Sequence, residues 1–501
     1  MSFTQLFCRA QLGIDAPEVC VEVHISNGLP RFTLVGLPET AVREARDRVR
    51  SAIQNSGFTF PARRITVNLS PADIPKEGGR YDLAIALGIL AASAQVDIAS
   101  LQQVDCFGEL ALNGDCRAIA GLLPALIASR QANRAVVIPT QNQPEARLVR
   151  DMPIYPLTSL GQLCAHLNAG EALPELQPHT GTAEIHYAVD LSEVYGQLQA
   201  RRALEIAASG GHHLLMMGPP GTGKSMLAQR LITILPPMSE TEAISTASIR
   251  SLCHKAVDPQ NWQHRPFQSP HHTVSGVALV GGGSNPRPGE ISLAHNGVLF
   301  LDELTEFDRK SIEVLREPLE SGKIHISRAA RQVEFPAQFQ LVAAMNPCPR
   351  GCESMARCDC SAEQLNRYRN KLSAPLLDRI DIQIELARLK RDELGQQRQH
   401  RAEASAEVRK RVCRARRLQL KRQGCVNAQL SNKALEEYCR LDSDSEQMLL
   451  AAIEKLRLSA RSYHKLLKLA RSIADLAGDA SISKVQVAEA ISYRQQDRAR
   501  A

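Results

Sequence analysis

One eight-residue segment constrains this chain more than any other. Residues 218–225 read Gly-Pro-Pro-Gly-Thr-Gly-Lys-Ser, which matches the pattern G-x-x-x-x-G-K-[ST] in full. The apolar run His213 to Met217 precedes it, and the helical run Met226 to Leu235 follows it. A strand, a glycine-rich turn and a helix in this order let backbone N–H groups and the helix N-terminus meet anionic oxygens. The segment therefore predicts an α/β fold that binds a nucleotide, and a chance glycine-rich turn is the alternative.

The residues of this loop have different predicted roles. Lys224 is expected to reach the β and γ phosphates of ATP, and Ser225 is expected to hold Mg²⁺. The other contacts come from the loop backbone, which wraps the phosphates. The predicted nucleotide-binding residues of the loop are Gly218, Pro219, Pro220, Gly221, Thr222, Gly223, Lys224 and Ser225.

Two carboxylates follow a second apolar strand. Residues 297–303 read Gly-Val-Leu-Phe-Leu-Asp-Glu, a buried-strand pattern that ends in Asp302 and Glu303. In an open parallel sheet the carboxyl ends of the strands form the binding edge, so these side chains are expected beside the phosphate loop. Asp302 is predicted to bind Mg²⁺ and so to belong to the nucleotide site, and Glu303 is predicted to polarise the attacking water.

Two further polar residues are candidates to sense the γ-phosphate. Asn346 ends the apolar strand Gln340 to Met345, where its amide can orient water; a strand-ending Asn without a catalytic role is the alternative. Arg461 follows Ser459, which fits the N-cap of a predicted helix. From the first turn of that helix Arg461 is expected to reach phosphate as part of a lid.

An arginine is a candidate for completing a neighbouring subunit's site. Arg379 lies in the segment Pro375-Leu-Leu-Asp-Arg-Ile-Asp381, at the expected end of a helix. An exposed arginine in such a place can act as an arginine finger. A helix-terminal salt bridge with Asp378 or Asp381 is the alternative.

Four of the thirteen cysteines are clustered. Cys348, Cys352, Cys358 and Cys360 lie within 13 residues, just after Asn346. An odd number of cysteines without an evident secretion signal argues against a disulfide framework. Four thiolates can close a tetrahedral Zn²⁺ site, and an insert with little apolar content needs such a staple. The sequence favours zinc over the alternative of four free, reduced cysteines.

Basic charge is concentrated in one segment. The chain has 60 Lys and Arg against 53 Asp and Glu, a net charge of +7. Residues 388–422 carry 13 Lys or Arg and four acidic residues, so this segment alone has a net charge of +9. Such a density suits a polyanion such as nucleic acid, and a solvated helix with a basic outer face is the alternative.

A second candidate for contact with DNA is a predicted β-hairpin. Residues 324–335 alternate apolar and polar side chains around a short centre. Arg328 and Arg331 flank that centre, and a resemblance to helicases that grip DNA with a hairpin at this place implies that both bind DNA phosphates in the pore of a ring. Contact with a neighbouring subunit is the alternative for both. The glycine- and proline-rich segment Val277 to Glu290 is another candidate for lining the pore.

Length and periodicity divide the chain. A chain of 501 residues is expected to form about three domains. Residues 1–165 alternate short strands and helices, and 166–189 are predicted to be a linker. Residues 190–386 are predicted to form the nucleotide-binding core, with a cysteine-rich insert at 347–361. Residues 387–501 are predicted to form a basic helical connector and a helical lid.

The apolar segments predict no passage through a membrane. The longest nearly unbroken apolar stretch, Leu83 to Ala94, has twelve residues, whereas a membrane-spanning helix needs ~20. Residues 1–16 lack the long apolar run of a secretion signal. Apolar residues are 44% and charged residues 23%, as in folded proteins. We therefore expect a folded protein of the cytoplasm.

Several stretches outside the phosphate loop carry a family resemblance. They are Val35-Gly-Leu-Pro38, Pro71-Ala-Asp-Ile-Pro-Lys76, Pro270-His-His272, Val280-Gly-Gly-Gly283, Pro288-Gly-Glu-Ile291, Leu293-Ala-His295 and Leu376-Leu-Asp-Arg-Ile-Asp381. With the phosphate loop, they make the chain resemble the AAA+ ATPases, within these the magnesium-chelatase-like branch, and more closely the ComM/YifB family. The resemblance covers nearly the whole chain.

This resemblance implies both a fold and an activity. The implied fold is an AAA+ P-loop core with a helical lid. The family is associated with hexameric, ATP-driven branch migration of DNA during natural transformation. The implied roles are Walker A at Lys224, Walker B at Asp302 and Glu303, sensor 1 at Asn346, the arginine finger at Arg379 and sensor 2 at Arg461.

The first domain resembles another enzyme class. Residues 75–84, Pro-Lys-Glu-Gly-Gly-Arg-Tyr-Asp-Leu-Ala, resemble the active-site stretch P-K-D-G-P-S-A-G of Lon-type proteases. The position of the nucleophilic serine falls on Arg80, and that of the catalytic lysine falls on Leu123. Because both members of the Ser–Lys pair are absent, we expect a Lon-like α/β fold without peptidase activity. The basic candidates for DNA phosphate, or for ordinary surface charge, are Arg63, Arg64, Lys76 and Arg80.

Three functions fit these features. The first is an ATP-hydrolysing helicase or translocase that acts as a homo-hexamer on single-stranded, forked or branched DNA; the basic connector and the hairpin favour it. The second is a protein-remodelling or metal-insertion chaperone ATPase of the magnesium-chelatase clade. The third, an ATP-switched scaffold without catalysis, is disfavoured by the presence of Glu303. The expected cofactors are ATP, Mg²⁺ and Zn²⁺.

Overall fold

The computed structural model describes residues 2–37, 40–179, 186–253, 255, 258–283, 286–328, 331–352, 358–388, 402–456 and 458–494. The chain divides into two units. The first comprises Met1–Glu184, Ala243–Trp262 and Ser327–Phe335, and the second comprises Ile185–Glu242, Gln263–Ile326 and Pro336–Ala501.

The first unit is built on a mixed seven-stranded sheet. Its strands are β1 (Ser2–Arg9), β2 (Glu18–Ser26), β3 (Arg31–Val35), β4 (Arg64–Ser70), β5 (Val104–Cys106), β6 (Glu109–Leu110), β7 (Cys116–Arg117), β8 (Ala135–Pro139) and β9 (Ile154–Leu157). Its helices are α1 (Thr40–Asn55), α2 (Asp82–Ala92), α3 (Leu122–Gln131), α4 (Gln143–Ala146) and α5 (Leu160–Ala169). The sheet order is β3-β4-β2-β1-β5-β8-β9, and β6 and β7 form a separate ribbon.

Apolar patterning explains the core of this unit. Along β2, buried residues alternate with more exposed ones, as in a strand with one covered face. Ten of the eleven residues of α2 are buried, because this helix is apolar on all sides. The expected alternation of strands and helices in this part of the chain is thus observed, and the apolar stretch that begins at Leu83 forms α2 up to Ala92.

The structure corrects the sequence analysis at the end of this unit. A linker was expected from residue 166, but α5 continues to Ala169. The Ser159 side chain caps the start of α5 by accepting a hydrogen bond from the Gln162 backbone N–H. Gly170, with a φ of +73°, ends the helix in the left-handed conformation that favours glycine. These local caps set the helix limits before the proline-rich stretch begins.

Two basic residues that were expected on the surface are buried. Lys76 is 0% exposed and donates to the Pro71 carbonyl oxygen, and Arg80 is 5% exposed. Arg80 donates to Gln11 Oε1 at 2.6 Å and to the Ala120 carbonyl oxygen at 2.7 Å. Both interpretations offered by the sequence, phosphate contact and surface charge, are therefore wrong for these two residues, because both side chains are buried among acceptors of the first unit.

The unit also contains a buried charge cluster, formed by Arg9, Asp105, Ser129 and Arg134. Asp105 is fully buried, and its two carboxylate oxygens accept from Arg9 Nε and Arg134 Nε, each at 2.7 Å. The Ser129 hydroxyl donates to the same carboxylate at 2.6 Å. Each buried charge therefore has a partner of opposite sign, as burial requires.

From residue 186 onward, short strands and helices are followed by a region of helices alone among the described residues. The strands are β10 (Leu214–Met217), β11 (Phe267–Gln268), β12 (Gly281–Gly282), β13 (Arg287–Pro288), β14 (Val298–Leu301), β15 (Lys323–Arg328), β16 (Arg331–Pro336), β17 (Gln340–Met345) and β18 (Ile382–Glu385). The helices are α6 (Leu198–Gly210), α7 (Lys224–Ile234), α8 (Glu240–Leu252), α9 (Gly276–Val280), α10 (Glu290–Leu293), α11 (Arg309–Glu313), α12 (Arg316–Ser321), α13 (Ala362–Arg369), α14 (Ala374–Leu377), α15 (Ser405–Gln423), α16 (Asn432–Tyr438), α17 (Ser443–Leu456), α18 (Ala460–Ala477) and α19 (Lys484–Ser492).

A five-stranded parallel sheet organises the second unit. Its order is β11-β14-β17-β10-β18, and every neighbouring pair is parallel. All residues of β14 and β17 are buried, which fits their continuous apolar sequence. In register, Met217 pairs with Met345 and Leu301 pairs with Ala343. The residues that follow these strands therefore leave the sheet at one edge.

The C-terminal region is helical, as the sequence predicted, and consists of α15 to α19. The basic segment 388–422 forms α15 from Ser405, while residues 389–401 lie outside the described ranges. Three of its arginines are engaged within the unit. Arg411 pairs with Glu205 at 2.7 Å, Arg422 pairs with Asp475 at 2.7 Å, and Arg416 donates to backbone carbonyl oxygens of α6.

Candidate functional site

The phosphate loop joins β10 to α7. Gly221 and Gly223 have φ values of +80° and +86°, a left-handed backbone that favours glycine over other residues. Helix α7 begins at Lys224, two residues earlier than the sequence suggested. The first turn of a helix has backbone N–H groups without partners inside the helix, and these groups can bind phosphate.

Lys224 is held among acceptors at the sheet edge. Its Nζ donates to the carbonyl oxygens of Gly218 and Pro219 at 2.7 and 3.0 Å, and to Asn346 Oδ1 at 3.2 Å. Burial lowers the pKa of Lys224, and the carboxylates of Asp302 and Glu303 oppose that shift. The structure thus brings the predicted phosphate-binding lysine and the predicted sensor Asn346 into direct contact.

A pair of oxygen donors lies beside the lysine. The Ser225 hydroxyl donates to Asp302 Oδ2 at 2.5 Å. A hydroxyl and a carboxylate are oxygen ligands of the kind that Mg²⁺ prefers. The two residues therefore fit the predicted magnesium site, although they are 77 residues apart in sequence.

Glu303 follows Asp302 and has an unusual backbone conformation. Its φ is +51°, and its N–H donates to Asp302 Oδ1 at 2.9 Å. Its side chain is 55% exposed, and Oε2 lies 3.4 Å from His272 Nδ1. Left-handed residues other than glycine cluster at functional sites. We name the group of Lys224, Ser225, Asp302, Glu303 and Asn346 the nucleotide edge.

Asn346 is connected to the segment after the cysteine insert. The Tyr368 hydroxyl, on α13, donates to the Asn346 carbonyl oxygen at 3.2 Å and accepts from Thr305 Oγ1 at 2.8 Å. Thr305 follows the carboxylates of β14 by only a few residues. Two neighbouring strand ends are therefore linked through one tyrosine, which the sequence did not indicate.

Arg379 pairs with an acidic residue that the sequence did not single out. Its Nη2 lies 2.6 Å from Glu320 Oε2, and its Nη1 donates to the Pro375 carbonyl oxygen at 2.7 Å. The guanidinium of Arg379 and, more weakly, that of Arg461 hold the pKa of Glu320 below its ordinary value. Glu320 therefore lies near both arginines that were predicted to reach phosphate.

Arg461 is placed as its sequence suggested. Ser459 is the N-cap of α18, and its side chain accepts from the Ser462 backbone N–H. Arg461 lies in the first turn of this helix and is exposed. Its contact with phosphate remains a prediction.

The four clustered cysteines lie together. Their sulfur atoms are all within 4.8 Å of one another, close to the spacing of about 3.8 Å in a tetrahedral zinc site. Burial raises the pKa of Cys348, but hydrogen bonds involving Cys352 and Cys358 outweigh this effect and lower it to about 7. A cluster of this kind can hold a metal ion, because the thiolate is the ligand form of cysteine.

The cysteine insert contacts the phosphate loop. Gly351 has a φ of +65°, and a Cβ atom at this position would lie 2.9 Å from Pro220 Cδ. Residues 353–357 lie outside the described ranges. The metal-binding candidates and the nucleotide edge are therefore neighbours in the second unit.

The predicted DNA hairpin exists as a backbone feature. Strands β15 and β16 pair as a two-stranded sheet, as the alternating sequence predicted. The side chains of Arg328 and Arg331, at its two inner ends, lie outside the part of the structure that is described. Their contact with DNA remains a prediction.

No helix within the described ranges has the length and apolar character that crossing a bilayer requires.

Three family models describe most of the chain. The model "Magnesium chelatase, subunit ChlI" matches residues 190–394, "Subunit ChlI of Mg-chelatase" matches 21–142, and "Magnesium chelatase, subunit ChlI C-terminal" matches 402–494. The matches thus extend across both the first unit's sheet and the nucleotide edge.

Comparison with full-length relatives indicates the same family. The chain is 50% identical to the competence protein ComM of Haemophilus influenzae over 99% of this chain and 98% of that protein. It is 48% identical to the uncharacterized protein YifB of Salmonella typhimurium, again over 99% and 98%. The magnesium-chelatase 38 kDa subunit of Cereibacter sphaeroides is 26% identical over 31% of this chain and 52% of that protein. The chain therefore belongs to the ComM/YifB family of magnesium-chelatase-like proteins.

Proposed function

We propose that this protein is an ATP hydrolase that acts as a homo-hexamer and drives branch migration of DNA in the cytoplasm. The observation that carries the proposal is the nucleotide edge, where five predicted residues from three strand ends come together. The family membership supports the ATPase of the AAA+ type. The name of the relative, competence protein, supports a role in natural transformation.

The residues of the nucleotide edge divide the work of hydrolysis. Bound ATP with Mg²⁺ supplies the phosphoryl group that is transferred to water. Lys224 neutralises phosphate charge, and Ser225 and Asp302 hold the metal ion. Glu303 polarises the attacking water, and Asn346 orients it beside the γ-phosphate. In a ring, Arg379 of one subunit reaches the nucleotide of the next, and helices α15 to α19 act as a lid that carries Arg461.

DNA as the partner is supported by one face of α15. Four of its basic residues recur at positions i, i+4, i+7 and i+11 and are exposed: Lys410, Arg414, Arg417 and Lys421. This exposed basic stripe spans about 16 Å of helix. Only Lys410 has an ion-pair partner among the described residues, the exposed Glu407. A stripe of this kind suits the phosphate backbone of nucleic acid better than any one base sequence.

Two other parts of the molecule have proposed roles. Arg328 and Arg331 of the hairpin bind DNA phosphates in the pore, so that the motor moves over any sequence. The first unit is a Lon-like α/β domain that has lost its peptidase chemistry. The four-cysteine cluster holds one Zn²⁺ as a structural staple, which metal analysis of protein never exposed to chelator tests.

The test is the ATPase rate with and without single-stranded, duplex and forked DNA at graded salt. We expect stimulation by DNA that falls as salt rises, because phosphate contacts release counterions. Replacing Arg414, Arg417 and Lys421 with Ala should reduce the salt slope of duplex binding by about 3. The salt slope of duplex binding should also fall in the double variant Arg328→Ala and Arg331→Ala.

A matched control removes the same charge elsewhere. Lys433, Arg440 and Lys455 are exposed elsewhere in the C-terminal region, and their replacement with Ala should leave the slope unchanged. ATP hydrolysis that no form of DNA stimulates would contradict the DNA half of the proposal. Stimulation by an unfolded protein instead of DNA would favour the protein-remodelling alternative.

A further inference from the structure

One histidine contacts the carboxylate that is proposed to polarise water. His272 Nδ1 lies 3.4 Å from Glu303 Oε2. In the described part of the chain, His272 is the one ion-pair partner of Glu303. The sequence contained a signal for this residue, the stretch Pro270-His-His272, but did not indicate what it contacts.

The sheet topology explains how His272 reaches this place. Strand β11 pairs in parallel with β14, with Phe267 opposite Val298 and Gln268 opposite Leu299. The chain after β11 and the chain after β14 therefore leave the sheet at the same edge. The ring of Phe267 also stacks on that of Phe300, with centroids 5.9 Å apart, which fixes the two strands side by side.

The imidazole ring is held from two sides, whereas the carboxylate is not. The rings of His271 and His272 have centroids 4.1 Å apart, and the edge of Phe307 approaches His272 with centroids 6.5 Å apart. The His272 side chain is 33% exposed, and that of Glu303 is 55% exposed. A carboxylate that is half in solvent samples several rotamers unless a better fixed group holds it.

We propose that His272 is a positioning residue for Glu303. Its ring holds Oε2 of the carboxylate and leaves Oε1 to polarise the attacking water. The gain comes from orientation, because a correctly aligned group avoids the loss of freedom during the reaction. This inference rests on the proposed ATP hydrolysis and adds a residue from β11 to the nucleotide edge.

The test compares His272→Ala, His272→Gln and His271→Ala in steady-state ATP hydrolysis. We expect His272→Ala to lower kcat about tenfold while KM and the Kd for ATP stay within about twofold of wild type. His272→Gln keeps an N–H donor and should recover part of the loss. His271→Ala tests the support of the ring: His271 lies against His272, but its Nδ1 contacts Thr273 Oγ1 at 2.9 Å rather than Glu303, so this variant should lose less activity than His272→Ala.

Several outcomes overturn the inference. An unchanged or raised kcat in His272→Ala does so, as does a loss that appears in KM alone. A loss in His271→Ala that equals or exceeds the loss in His272→Ala, with no recovery in His272→Gln, shows that the segment as a whole is needed and not the contact with Glu303. A wild-type protein that hydrolyses no ATP rejects the proposed function itself. If the wild-type protein hydrolyses ATP and His272→Ala hydrolyses it equally fast, only this inference is rejected.

Discussion

The nucleotide edge and the buried charge cluster use similar side chains in opposite ways. In the first unit, Asp105 is fully buried and both of its oxygens accept from arginines. In the second unit, the Glu303 side chain is 55% exposed, and its carboxylate has one ion-pair partner among the described residues. Both oxygens of Asp105 are occupied by protein donors and are closed to a ligand. One oxygen of Glu303 remains open to solvent.

Position in the sheet accounts for this difference. Asp105 lies within β5, in the middle of a sheet, where side chains from several elements surround it. Asp302 and Glu303 follow the last residue of β14, where the chain turns away from the sheet. Charges inside a sheet therefore stabilise the fold, whereas charges beyond the strand ends remain available for chemistry.

The largest effect should come from Arg379, the residue that we propose to act across a subunit boundary. Arg379→Ala should assemble normally but lower ATP hydrolysis by about 10⁴-fold, because an arginine finger stabilises charge in the transition state. Mixing it with Lys224→Ala should restore part of the activity, since the intact phosphate loop of an Arg379→Ala subunit can then receive Arg379 from a Lys224→Ala neighbour. Mixtures that remain as inactive as their components would place Arg379 in its own subunit's structure, with Glu320.

A smaller loss should follow from a change at the open carboxylate. Glu303→Gln should lower turnover by about 10³-fold and leave ATP binding and the free energy of unfolding near wild type. The measurements are single-turnover hydrolysis, nucleotide affinity and denaturant unfolding. Glu306→Gln, which removes an exposed pairing with Lys371, is the control and should hydrolyse ATP normally. Normal turnover in Glu303→Gln would refute its assignment.

In the buried charge cluster, a substitution should change stability and leave nucleotide binding unchanged. Asp105→Asn should lower the free energy of unfolding by about 3 kcal/mol, because two buried guanidiniums lose their counter-charge. The affinity of the folded fraction for ATP should not change. Asp47→Asn is the control, since the Asp47 side chain is 77% exposed. If Asp105→Asn retained wild-type stability, the contrast between the two regions would not hold.

Local signals in the sequence were sufficient for much of the nucleotide edge. Three of these signals depend on only a few neighbouring residues, so a short segment is enough to predict the local structure. They are the glycines of the phosphate loop, the apolar strand before Asp302 and the N-cap Ser459. The hairpin of β15 and β16 was likewise predictable from alternation. The roles of these residues in catalysis and in DNA binding stay predictions.

Contacts between distant segments were not predictable in this way. Glu320 and Arg379 are 59 residues apart, and no pattern in either segment indicates the other. Strand β11 has two residues, too few to show the alternation of apolar and polar side chains that identifies a strand. The sequence therefore did not predict that the chain after β11 brings His272 to Glu303. The burial of Arg80 depends on the Ala120 carbonyl oxygen, an acceptor that every residue has. Single-sequence reasoning identifies side chains with chemistry but not their tertiary neighbours.

The contact between Gly351 and Pro220 has a consequence for protein engineering. A substitution at position 351 meets both a left-handed backbone and the proline ring of the phosphate loop. The cysteine insert and the phosphate loop therefore form one mutational unit. A library that randomises position 351 will therefore also disturb the phosphate loop, and an insert grafted into another protein will need a loop with a compatible residue at the position of Pro220.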